Sequence, residues 1–119
     1  MRAKWRNTLA SSCCSLLLTA CAPSPQQWFQ RSQVAYQHQN YGQAFSDARI
    51  SAQYGHLKAT YALGYMYYYG IGTQANPILA RQWINKAAER GYQPAQAALN
   101  ALYNTQARDP NQARLPLPQ

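Results

Sequence analysis

The chain has 119 residues, 47% of them apolar, and a formal net charge of +8, which suits one small domain rather than a multidomain enzyme. Eleven Lys and Arg stand against three Asp and Glu. That balance favours anionic surfaces, but by itself it is no nucleic-acid signature. The three cysteines are Cys13, Cys14 and Cys21, all close to Met1.

The first segment reads as a targeting signal. Arg2, Lys4 and Arg6 make a cationic start, and Leu9 to Leu18 is a short run of small and apolar residues. That run falls short of the roughly 20 apolar residues needed to span a bilayer. It has the layout of a secretory signal, with small residues at the cleavage point. Leu18-Thr19-Ala20-Cys21 resembles a bacterial lipobox. The resemblance implies a lipoprotein signal peptide over residues 1–20, diacylglycerol on the Cys21 thiol, cleavage before Cys21 and acylation of the new amino terminus. Ala22 stands where enteric-type sorting places an inner-membrane retention aspartate. The implied location is the outer membrane of a Gram-negative envelope, facing the periplasm. Arg2, Lys4 and Arg6 leave with the signal, so the expected mature chain of 99 residues carries +5. With Cys13 and Cys14 removed and Cys21 acylated, no thiol remains for a disulfide or a metal.

Downstream, residues 21–25 read as a tether, because Pro23 and Pro25 disfavour helix in the residues before them. Five helices follow. The first is expected over Gln26 to Gln39 and the second over Tyr41 to Tyr54, closed by Gly55. The third runs from Ala59 to Tyr69, with Ala62, Leu63, Met66 and Tyr67 on one face at 3.6 spacing. Gly70-Ile71-Gly72 stops it. Asn76-Pro77 is a start signal: asparagine caps, and proline suits the first helical position. The fourth helix carries an apolar stripe of Ala80, Trp83, Ile84, Ala87 and Ala88 up to Gly91. The fifth opens at Pro94 and runs through Ala95, Ala98, Leu99, Leu102 and Tyr103. Residues 109–119, with Pro110, Pro116 and Pro118, are expected to form a disordered tail, or a flexible one that docks on a partner.

A shift of 36 residues superposes Ala44 on Ala80, Ala52 on Ala88, Gly55 on Gly91, Ala59 on Ala95, Leu63 on Leu99 and Tyr67 on Tyr103. A period of this length means stacked supersecondary units. The fold class is therefore all-α, an α-α superhelical solenoid of helical hairpins. The pattern Ala59-x3-Leu63-Gly64-x2-Tyr67-x2-Gly70-x-Gly72, then Asn76-x3-Ala80-x2-Trp83 and Lys86-Ala87-Ala88-Glu89-x-Gly91-x3-Ala95, resembles a Sel-1-like repeat, a relative of the tetratricopeptide repeat. The resemblance covers one complete unit over residues 59–94 inside a repeat domain of residues 26–108. Asn76 replaces a frequent acid and Ile84 a frequent aromatic. In physical terms, the alanines let helices approach closely. Gly64 is a mid-helix glycine that a neighbouring helix would explain, and Tyr67 and Trp83 are space-fillers between the two helices of the unit.

Constellations that carry chemistry are sparse. Asp47, Glu89 and Asp109 are far apart in sequence, and neither His38 nor His56 has a ligand partner at i+3 or i+4. No catalytic residue, metal site or cofactor is expected, and His56 reads as a polar turn residue. What remains is a binding surface. Tyr61, Tyr65 and Tyr68 fall at i, i+4 and i+7 and suit a partner groove on the first-helix face. Packing against neighbouring helices is the other reading of Tyr61 and Tyr65, and it stays open. Arg81, Lys86 and Arg90 read as a solvated outer face. The expected function is a membrane-anchored protein-interaction module, with an unidentified protein or a second copy of the chain as partner and no nucleic acid. An immunity factor against a toxic enzyme, or a subunit of a secretion or polysaccharide-export assembly, are the rival classes.

Overall fold

A computed structural model describes residues 22–106 and 114–119; residues 1–21, and with them the signal, Cys21 and the lipobox, lie outside the described residues. Among the described residues there are five helices: α1 (Pro25–Gln37), α2 (Tyr41–Gln53), α3 (Leu57–Tyr69), α4 (Pro77–Glu89) and α5 (Gln93–Gln106). Each packs against the next in the chain. No strand occurs among the described residues. The architecture is an α-α solenoid of helical hairpins, as the 36-residue period implies.

The period holds at the level of elements. Helix α4 begins 36 residues after α2, and α5 begins 36 residues after α3. Helix α1 breaks the register by four residues, because the α1–α2 connection spans only residues 38–40 whereas the α3–α4 connection spans 70–76.

Four of the five starts have a side-chain cap. Ser24 and Gln27 form a reciprocal capping box, and Pro25 takes the first helical position. The tether expected over residues 21–25 is thus shortened. Proline restrains the residue before it and leaves the residues after it free to continue as helix, so Ser24 and Pro25 initiate α1. Asn40 caps α2, and Asn76 accepts from the Leu79 N–H at 3.0 Å to cap α4, with Pro77 behind it. His56 caps α3 through Nδ1, which accepts from the Ala59 N–H at 3.2 Å.

Packing within the hairpins follows residue size. Ala44, Ala48, Ala59, Ala80, Ala87, Ala95 and Ala98 are fully buried, so helix axes lie close. Gly64 faces α4 directly. A Cβ at this position would stand 2.7 Å from Ile84 Cγ1 and 3.0 Å from the Ala80 carbonyl oxygen, which explains the mid-helix glycine. Ile84 is itself fully buried. Tyr67 and Trp83 are half-buried at the margin of the cluster holding Leu63, Ala59 and Phe29. Tyr67 meets Phe45 of α2 edge-on at 5.2 Å. The centre of the unit is therefore filled by Ile84 against Gly64, and the large aromatics seal its edge.

Polar side chains fasten α1 to α2. Ser32 Oγ donates to the Ala44 carbonyl at 2.7 Å, and Ser51 Oγ donates to the Pro25 carbonyl. Buried Asp47 accepts from Gln43 Nε2 at 2.8 Å and faces Arg31 Nε at 3.6 Å. Its position on the α1–α2 seam makes it a structural acid.

Residues 114–119 have no regular secondary structure, yet Leu115 anchors them on the helices. Leu115 is 3% exposed and belongs to the cluster of Tyr61, Ile84, Ala98 and Leu102. Residues 107–113 lie outside the described residues. Where disorder or docking on a partner was expected, residues 114–119 rest on the chain's own α3. The physical reason is that Leu115 has an apolar slot to enter beside small residues of α5.

Candidate functional site

Helix α1 meets α3 across a cavity, α3 meets α5 in one apolar cluster, and tyrosine concentrates on α3. Its period on α3 is that of a helical stripe: Tyr61, Tyr65, Tyr68 and Tyr69 recur over two turns. The structure brings the three expected residues together but gives them different tasks. Tyr61 is fully buried; its ring lies 5.4 Å from Tyr92, and its hydroxyl donates to the Pro116 carbonyl. Burial, with Tyr92 adding to it, holds its phenol well above the usual range. Tyr61 is thus a core residue in this arrangement, its ring packed inside and its hydroxyl covered by the chain's own Pro116, and the packing reading of this position is the one the structure adopts. Tyr65 and Tyr68 are half-buried, and burial raises both their pKa values, so each stays a neutral donor and acceptor.

Two residues of the face escaped the sequence reading. Tyr69 is 41% exposed and packs against both Tyr65 (tilted, 4.7 Å between centroids) and Tyr68 (edge-on, 4.9 Å). Its hydroxyl accepts from the Leu115 N–H at 2.9 Å. Tyr36 comes from α1 and is also exposed. Tyr69 was accessible to sequence reasoning, since it lies four residues after Tyr65 and eight after Tyr61. Tyr36 was not, because α1 is out of register with the repeat.

A cavity of about 240 Å³ opens between α1 and α3. Phe29, Ser32, Gln33, Tyr36 and Gln37 line it from α1, Ala62, Tyr65 and Met66 from α3, and Leu117 with Pro118 from the C-terminal segment. Apolar walls with a few polar tips suit side chains of a peptide better than a charged metabolite.

The cations expected on the outer face are individually engaged. Lys86 lies over the Trp83 ring at 5.0 Å, Arg81 over Tyr103 at 5.9 Å, and Arg90 Nη1 donates to the Gly55 carbonyl at 2.7 Å. Among the described residues no group of three or more His, Cys, Asp or Glu could hold a metal, and no helix is long and apolar enough to cross a membrane.

His56 does more than turn the chain. Its ring stacks on Phe29 at 4.8 Å while Nδ1 caps α3. Burial first, then Lys58 and Arg90, lowers its pKa below the ordinary 6.5. The unfolded chain therefore takes up this proton before the folded one does. His56 contributes its stability fully above about pH 7 and loses it as pH falls through about 6.5 toward the lowered folded value. The melting temperature is expected to fall between pH 7.5 and pH 5. His56→Asn, which keeps a capping oxygen but does not titrate, should flatten that part of the profile. A slope unchanged by His56→Asn would assign it to other groups.

No solved structure matches the chain. The model of the Sel1 repeat matches residues 57–92, the span from the first residue of α3 through α4 to Tyr92. Ala59, Leu63, Gly64, Tyr67, Gly70, Gly72, Ala80, Trp83, Ala87, Ala88 and Gly91 all fall inside that match, and Ala95 follows it on α5. Repeats of this kind generally mediate contacts between proteins. The α3–α4 hairpin that supplies Tyr65, Tyr68 and Tyr69 to the site is similar to a Sel1 repeat.

Proposed function

We propose that this chain is a membrane-anchored protein-interaction module of a bacterial envelope, a binding protein rather than an enzyme. The observation that carries the protein-binding part is the tyrosine-lined cavity between α1 and α3, on a scaffold whose central hairpin is similar to a Sel1 repeat. Tyrosine presents apolar area with a hydrogen-bonding tip and is enriched in energetically dominant interface positions. Tyr65 and Tyr68 each pack against the Tyr69 ring, which restrains their rotamers and lowers the entropy left to lose on binding. The anchoring part rests on Leu18-Thr19-Ala20-Cys21 behind a basic, then apolar, start. Each buried methylene of an acyl chain contributes about 0.8 kcal/mol, and two or more chains hold a protein firmly on a bilayer. With Ala22 after the lipid cysteine, the outer membrane, periplasmic side, is the proposed location.

Both parts have a direct test. Cys21→Ser should convert a membrane-associated, acylated protein into an unprocessed or soluble one. A wild-type protein that fractionates as soluble, with no acyl mass on Cys21, refutes the anchor. Tyr65→Ala and Tyr68→Ala should each weaken a captured protein partner by at least about 1 kcal/mol with little change in melting temperature. Wild-type affinity in both variants would move the contact surface away from this face.

A further inference from the structure

Residues 115–118 read Leu-Pro-Leu-Pro. Each proline fixes its own φ near −65° and confines the residue before it to extended conformations. Such a segment is largely ordered before it meets a surface, so docking costs it little conformational entropy. Two tyrosine hydroxyls hold it on the first-helix face: Tyr69 accepts from the Leu115 N–H, and Tyr61 donates to the Pro116 carbonyl. Both bonds go to backbone atoms, which many extended segments offer. One side chain, Leu115, supplies the buried anchor. The second leucine, Leu117, is 68% exposed, although it stands at the rim of the α1–α3 cavity of about 240 Å³. A segment built into the core would bury both leucines. This one fills the first slot and leaves the second open beside a side chain of the right type.

We propose that the first-helix groove is a receptor for an extended, proline-bearing apolar segment of a partner protein, and that residues 115–118 occupy it in cis as an incomplete version of that ligand. The inference rests on the protein-binding reading above and gives the partner its chemistry. The incoming segment places one large apolar side chain in the Leu115 slot and another in the cavity lined by Tyr36, Tyr65 and Met66, while Tyr61 and Tyr69 bond its backbone. By filling both slots it outcompetes a tethered segment that fills one. Tethering gives the cis segment an effective concentration on the order of millimolar, so the groove is closed to weak, non-specific peptides.

The test titrates a fluorescent peptide with the sequence of residues 114–119 into the full chain and follows its anisotropy. Wild type should bind weakly, because the cis segment competes. Leu115→Ser in the full chain should tighten peptide binding at least tenfold, and a peptide with both leucines changed to Asp should not bind. Leu115→Ser that folds, by its circular dichroism, and binds no better than wild type overturns the proposal. Should that variant not fold, wild type with excess unlabelled peptide decides: the Leu115 amide resonance must move to an undocked position, and its failure to move overturns the proposal. A protein partner whose binding is indifferent to saturating peptide leaves the protein-binding reading standing and overturns this one. Dimers of the chain that vanish on Leu115→Ser make a second copy the occupant, which also overturns it.

Discussion

Gly72→Ala should cost about 2–5 kcal/mol and lower the melting temperature by about 10 °C or more. Two terms add. Gly72 has φ +69°, where an alanine pays about 1–2 kcal/mol for its Cβ. Its new methyl would also fall onto the Tyr41 carbonyl oxygen, 2.6 Å from the Tyr41 carbonyl carbon and 2.9 Å from Phe45 Cβ. The obstacle is helical backbone at the start of α2, so relief requires the α3–α4 loop to move off the preceding hairpin, a packing loss of about 1–3 kcal/mol. Domains of this size have roughly 5–15 kcal/mol in all. Gly91→Ala is the control. Its φ is +84°, but a Cβ there meets nothing within 4 Å, so only the conformational cost of about 1–2 kcal/mol applies. Thermal melts of the two variants separate the terms. Equal losses would show that the approach of the loop to Tyr41 contributes nothing.

Why the fold was legible in the chain is clear from those same positions. Gly72, Gly64 and the alanine ladder are places where only small residues fit, and small residues at a fixed interval are visible without coordinates. Start signals were equally local: Asn76-Pro77 announces α4 because a cap needs a side-chain oxygen and a first turn needs no N–H. Where local signals conflicted, the reading was less complete. Pro25 argued for a tether when taken with Pro23, and for a helix start when taken with Ser24 and Gln27; the capping box decides in favour of helix. Trp83 is the larger residue, whereas the buried centre belongs to Ile84, which the shape of Gly64 selects.

The site was legible only in part, for a different reason. The stripe on α3 is a local pattern, and it correctly singles out a face rich in tyrosine. What each tyrosine touches depends on residues remote in sequence. Pro116 is 55 residues from Tyr61, and Leu115 is 46 from Tyr69. No periodicity encodes such pairs. Composition gives no hint of them, since Pro116 and Pro118 without an apolar rhythm make residues 114–119 look unstructured. Prolines lower the entropy of an extended segment, so the same residues that forbid helix favour docking once a groove exists.

Tyr61→Ala should be the most damaging single truncation on the first-helix face, at about 3–5 kcal/mol. The side chain is fully buried among Ile84, Ala98, Leu102 and Leu115, with Tyr92 alongside. Its loss opens a cavity at the junction of α3, α4 and α5, and it leaves the Pro116 carbonyl without its donor. Tyr61→Phe keeps the ring and removes only the hydroxyl, which should cost about 1 kcal/mol, the net value of one hydrogen bond. Tyr68→Ala removes a half-buried ring from the rim and should fall well below Tyr61→Ala. Thermal unfolding followed by circular dichroism orders the three. In the phenylalanine variant the C-terminal segment should also loosen, seen as faster hydrogen exchange at the Leu115 amide with the helices intact. That result would show that the hydroxyl of Tyr61 serves the docked segment while its ring serves the core. A Tyr61→Ala protein as stable as Tyr68→Ala would remove Tyr61 from the core and return it to the groove as a contact residue.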